Sequence, residues 1–298
     1  MPSILWVAFA VLCVLSGTSW VIPVEMSPGL PALEQQGILF GLIGVVAFLF
    51  GGWGVWVRVT SRLCVRLSAA AVGLFGVPMV VAEYARGIGR GINGAALFAI
   101  VPIVVVLVLA AGEDATGEER GARKFLIPAL VGLGGLLLLL PFHFSTSTRG
   151  LAMLSVVCAA VILAGIASVW LYRLLRGVRV ADAIAVVGVS NAVFLLVWCG
   201  IRGEIVWSAS GLASLVSVSS LVDVVEVLLI VWLLREMSPV RFASRYLLIP
   251  LLTVLQSYVL VRPEWTVRMG FGTVLLAVGA GVLLFGRAGE EETGLSLR

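Results

Sequence analysis

The chain has 298 residues, 61% of them hydrophobic and 12% charged, with a mean hydropathy of +1.15 and a formal net charge of +4. Soluble domains carry roughly 25% charged residues, so this composition excludes a water-facing globular surface. It also excludes a basic nucleic-acid binder, because the arginines fall in short clusters between apolar blocks and build no continuous basic face.

Apolar windows of span length fall at about 4 to 24, 37 to 57, 67 to 86, 92 to 111, 125 to 142, 151 to 172, 181 to 199, 211 to 234, 242 to 261 and 267 to 286. Each approaches the ~20 residues that cross about 30 Å of hydrocarbon. The runs are continuous, without the strict alternation of a transmembrane strand, so the expected fold is an all-α membrane protein of ten transmembrane helices. The first block lacks a basic flank and a small-residue cleavage site, and reads as an uncleaved first helix. With a cytoplasmic N-terminus, fourteen basic residues, Arg58, Lys124, Arg179 and Arg245 among them, fall in inner loops or the tail, against six outside. That bias places both termini in the cytoplasm, with residues 289–298 as a solvated tail.

In the first span, Gly17 lies 148 positions before Gly165; Pro102 in the fourth lies equally far before Pro250 in the ninth. Clustered glycines mark both the fifth and the tenth spans, at Gly132, Gly134 and Gly135 and at Gly272, Gly279 and Gly281. The set favours a duplicated five-helix unit, residues 1–145 and 146–288. Five is odd, so the second copy enters the membrane inverted, and a substrate site is expected near the midplane between the halves.

The sharpest chemical signal lies in the eighth span. Asp223 stands about 12 residues, roughly 18 Å, from either end of the 211 to 234 window, and Glu226 is one turn along the same face, with Ser220 and Ser219 extending it outward. A charge at that depth costs at least ~2.5 kcal/mol, so both carboxyls are expected to face a wet cavity or a partner, or to carry a proton. Their alternative use is structural, hydrogen-bonded to neighbouring helices. Asn191 and Gln256, deep in the seventh and ninth spans, read as substrate contacts or as the commoner interhelical hydrogen bonds. Glu83 and Arg86 read as a gate or as a helix-end ion pair, and Pro102 and Pro250 as hinges, since proline removes a helical hydrogen bond and crowds the preceding turn.

Several features point away from other chemistry. Gly89-Arg90-Gly91-Ile92-Asn93-Gly94 matches GxGxxG but follows no strand and lies between spans. His143 is the single histidine, and the four cysteines have no CxxC spacing, so no metal centre and no disulfide framework is expected. No nucleophile–base constellation or phosphate-binding loop is present, and neither an enzyme nor an ATP-driven pump is expected.

Met237-Ser238-Pro239, Pro250, Glu264, Gly270 to Gly272 and Gly279 to Phe285, with Ser16-Gly17-Thr18-Ser19-Trp20 in the first half, resemble the drug/metabolite transporter superfamily, in particular its EamA-like ten-helix branch. The leading Trp of the first motif is missing, and Glu264 follows Pro263 where the family has Gly. Trp20 to Pro23 with Gln35-Gln36-Gly37 is similar to sugar-uptake members of the superfamily. The resemblance implies a secondary transporter of the cytoplasmic (inner) membrane, moving a small metabolite or amphipathic compound by alternating access, with export and proton coupling through Asp223 and Glu226 as the expected mode. Its implied partners are the small-molecule substrate and membrane lipids, with no cofactor, in a monomer or homodimer. The rival readings are a lipid-linked substrate translocase, a sugar-uptake member and a non-transporting membrane subunit.

Overall fold

A computed structural model of the chain describes residues 3–21, 30–51, 60–88, 97–111, 121–139, 147–206, 215, 218–261 and 266–286. Every regular element among them is helical. We number them α1 (Ser3–Val21), α2 (Ala32–Gly51), α3 (Ser61–Ala71, a π-turn over Val72–Gly76, and Val77–Ile88), α4 (Val101–Ala111) and α5 (Leu126–Leu139, entered through a 3-10 turn, Gly121–Phe125). There follow α6 (Thr148–Leu175), α7 (Val180–Arg202), α8 (Val218–Glu236), α9 (Pro239–Ala243, then Arg245–Val261) and α10 (Val267–Phe285). The GxGxxG segment, His143, Glu264 and the tail lie outside the described residues.

Helix ends follow local chemistry. Ser147 and Thr266 cap α6 and α10, their hydroxyls accepting from the backbone N–H of Gly150 and Met269 at 3.1 and 3.2 Å. Gly203, at φ 67°, closes α7 in the left-handed conformation that only glycine adopts freely. Pro239 opens α9 at its first turn, where a missing N–H costs nothing.

Seven of these helices are long and apolar enough to cross a bilayer: α2, α3, α5, α6, α7, α9 and α10. The described apolar stretches of α1 and α4, Ser3–Thr18 and Val101–Ala111, are shorter. In α8, Asp223, Glu226, Arg235 and Glu236 interrupt the apolar run. Outward faces carry bare apolar side chains, as at Phe50, Ile201 and Val267, which suit a lipid solvent.

Two apolar cores lie side by side. One is built by α1, α2, α3, α6, α7 and α8, the other by α4, α5, α6, α9 and α10. The most extensive helix contacts pair α2 with α7 and α5 with α10; α6 packs on α3 as α1 does on α8, and α1 packs on α9 as α6 does on α4. Each of these pairings thus recurs at an offset of five helices. Glycines permit the two closest crossings. A Cβ on Gly188 would stand 2.5 Å from the Gly44 nitrogen, and one on Gly135 2.5 Å from the Leu276 nitrogen. The residues offset by 148 also share their surroundings: Gly17 faces Ile249 and Leu252, while Gly165 faces Val101 and Val104.

The prolines differ. Pro250 lies inside the continuous helix Arg245–Val261, whereas Pro102 is the second residue of α4, just after a turn at Ala99 and Ile100. The helical break expected around Pro102 therefore falls before it, and the equivalent helix runs on through Pro250.

Candidate functional site

Between the two cores lies a cavity of about 480 Å³, within the range of small-molecule sites. Its wall is mostly apolar. The π-turn of α3 contributes Leu74 and Phe75, and the next turns add Pro78 and Met79; Leu136 and Leu139 come from α5, and Ile249 and Pro250 from α9. Against this surface stand a few polar groups: Ser16 of α1, Glu226 of α8, and Arg245, Tyr246 and Thr253 of α9. Both cores contribute helices to the wall.

Arg245 is held at the start of the long segment of α9 by a turn at Ser244, whose hydroxyl donates to the Arg241 carbonyl at 2.6 Å. Its side chain is only 6% exposed. The guanidinium lies over the rings of Phe242 and Tyr246, at 4.3 and 4.6 Å from their centroids, and one terminal nitrogen donates to the Tyr246 hydroxyl at 2.7 Å. Nε has no hydrogen-bond partner, and no carboxylate among the described residues forms an ion pair with it. This overturns one topological expectation: Arg245 does not sit in a polar loop but points into the protein. Ser238 and Pro239 start the helical segment ahead of the 242 to 261 window, so Arg245 lies within it rather than at its solvated edge. The Ser-Pro pair is the signal that could have located Arg245 from the sequence.

The two acids of α8 part company. Glu226 lines the cavity, accepts from Ser16, and keeps Oε1 buried without a partner. Asp223, one turn away, is no part of this wall; its Oδ2 accepts from Gln36 Nε2 at 2.7 Å. Ser220 is buried and accepts from Gln35 Nε2 at 3.2 Å, so two successive glutamines of α2 tie it to α8. The side chain of Ser219 lies outside the described residues.

Neither amide reaches the cavity wall. Asn191 Nδ2 donates to the Val187 carbonyl at 2.9 Å, and its Oδ1 packs where a Cβ on Gly76 would be 3.0 Å away. Gln256 Nε2 donates to Thr18 Oγ1 at 3.1 Å, fastening α9 to α1. Glu83 is half-buried and has an interaction partner, while the side chain of Arg86 lies outside the described residues. Nearby, Trp198 Nε1 donates to the Tyr84 hydroxyl at 3.3 Å and Arg202 stands 5.1 Å from the Tyr84 ring centroid. Glu34, which the sequence did not single out, is fully buried and accepts from the Val206 backbone N–H at 2.9 Å, tying α2 to the segment after α7. No group of three or more metal-ligating side chains occurs among the described residues.

No protein-family model and no curated protein matches the chain. Solved structures are similar to it, among them a protein crystal structure with a TM-score of 0.67 at 19% sequence identity, covering 95% of this chain and 98% of that one. At that identity the likeness is one of fold.

Proposed function

We propose that this chain is a secondary transporter of the drug/metabolite type, a ten-span protein of the cytoplasmic membrane with both termini inside and two inverted five-helix repeats. It moves a small amphipathic metabolite by alternating access. The observation that carries this reading is the cavity of about 480 Å³, walled from both cores, with one acid and one base on a mostly apolar surface. The five-helix offset of the helix pairs and the 148-residue offset of Gly17 and Gly165 support the repeats. Charged side chains inside a membrane protein face one another or a watered path, and Glu226 and Arg245 share such a wall.

Alternating access is tested without knowing the substrate. Single cysteines replace Met79 or Thr253, both in the cavity wall, on a background free of the four native cysteines. A membrane-impermeant thiol reagent should label each from either side of the membrane in oriented vesicles. Labelling from one side alone, or from neither, would defeat the transporter reading and favour a fixed structural cavity.

A further inference from the structure

We infer that the cavity binds an amphipathic anion, its carboxylate or phosphate head on Arg245 and its apolar body against α3 and α5. The inference rests on the cavity being the substrate site and names the class of substrate.

The argument starts from the difference between the two charged groups in the wall. A carboxyl such as Glu226 can become neutral by taking up a proton, whereas a guanidinium stays charged in any protein environment. Removing a charge from water is costly unless a counter-charge and hydrogen bonds replace the lost hydration. Arg245 is 6% exposed; two aromatic rings and one phenolic oxygen lie against it, and Glu226 in the same wall interacts with it electrostatically without forming an ion pair. No carboxylate among the described residues pairs with it, and Nε remains a buried donor without an acceptor.

The guanidinium lies over the Phe242 and Tyr246 rings and one terminal nitrogen donates to the Tyr246 hydroxyl, which leaves its remaining N–H groups for hydrogen bonding. The guanidinium is a planar fork, matched to the two oxygens of a carboxylate or of a phosphate. Beyond it the wall is apolar, with Phe75, Met79 and Leu139 from α3 and α5. The nearest chemical description of a complementary ligand is a single anionic head on a compact apolar body. A cation would meet Glu226 but bring a second positive charge into the space that Arg245 already occupies.

The test uses purified protein in a non-ionic detergent and four probes sharing one phenyl body: phenylacetate, phenyl phosphate, 2-phenylethanol and phenethylamine. The readout is the ligand-dependent rise in unfolding temperature, which follows affinity by mass action. At least one anion should bind about tenfold or more tightly than the alcohol, the scale of a charge-assisted hydrogen bond, with the amine weakest. The better of the two heads then separates carboxylate from phosphomonoester substrates. Arg245→Gln should remove the preference for anions, and Arg245→Lys should restore part of it. Equal binding of alcohol and anion, preference for the amine, no stabilisation by either anion, or unchanged selectivity in Arg245→Gln would each overturn the inference. If Arg245→Gln does not fold, the ranking of heads on the wild-type protein decides alone. Failure here leaves the two-sided cysteine labelling untouched, and one-sided labelling with anion-selective binding would sink transport while keeping the site.

Discussion

Replacing Gly188 by alanine puts a methyl group into a crossing that has no room for one. The new Cβ would lie 2.5 Å from the nitrogen and 2.6 Å from the Cα of Gly44, and 2.8 Å from the Phe40 carbonyl oxygen. All three are backbone atoms, so no side chain can rotate away. Restoring ordinary contact at 3.4 Å requires α2 and α7 to part by about 0.9 Å at this point. A gap of that size forfeits a quarter to a half of the attraction of each contact along the seam. We therefore place the cost at the upper end of overpacking, about 3 kcal/mol. For a chain of this size that lowers the unfolding midpoint by roughly 6 °C. The assay is the fraction of monodisperse protein remaining after heating in detergent, read by fluorescence on a sizing column. Gly135→Ala, at the other backbone crossing, should fall by a similar amount, while Gly134→Ala and Gly281→Ala, where nothing lies within 4 Å, should match or exceed wild type. A Gly188→Ala midpoint indistinguishable from wild type, or an equal fall in Gly134→Ala, would refute the reasoning.

Three further outcomes are expected. Glu226→Gln removes the titratable group from the cavity wall at nearly constant size, so in proteoliposomes accumulation driven by a pH gradient should disappear while substrate exchange persists; unchanged gradient dependence would exclude Glu226 as the coupling group. A double-mutant cycle on Gln36→Ala and Asp223→Ala should give a coupling of about 1 kcal/mol in thermal unfolding, and Asp223→Asn, which keeps an acceptor for Gln36, should retain most of it. Cysteines replacing Glu118 and Arg149 should label from opposite sides of the membrane, with the first cytoplasmic, and labelling of both from outside would sink the proposed topology.

What could be read from the sequence was whatever depends on neighbours along the chain. Continuous apolar runs show the helices, and the Gly17/Gly165 offset is also the offset between the residues those glycines touch. Glu226 announces itself because an acid inside an apolar run is expensive wherever it points. Its immediate neighbour in that argument, Asp223, illustrates the limit. It shares a helix face with Glu226 in projection, yet its partner is Gln36, 187 positions away, and no local pattern specifies which of two acids meets a cavity and which meets a side chain. Charge bookkeeping treats any arginine near the end of a span as solvated and so groups Arg245 with the loop cations; its burial follows from where α9 begins and from the aromatic pair that flanks it. Glu34 was invisible for the same reason, since the amide it satisfies, Val206, comes from a segment after α7.

The π-turn at Val72–Gly76 also governs how the cavity wall would respond to a change in the length of α3. Such a turn is one residue wider than its α-helical counterpart, and one residue in a regular helix corresponds to about 100° of rotation. The extra residue is absorbed within the wide turn, so deleting one there, for instance Gly73, would let α3 close into an unbroken α-helix while Pro78, Met79 and Ala82 keep their place in the wall, and only Leu74 and Phe75, which belong to the turn itself, would shift. The change is thus confined to the part of the wall that the turn itself supplies. A one-residue deletion at this turn would therefore reshape one side of the cavity while the rest of its wall stays in place.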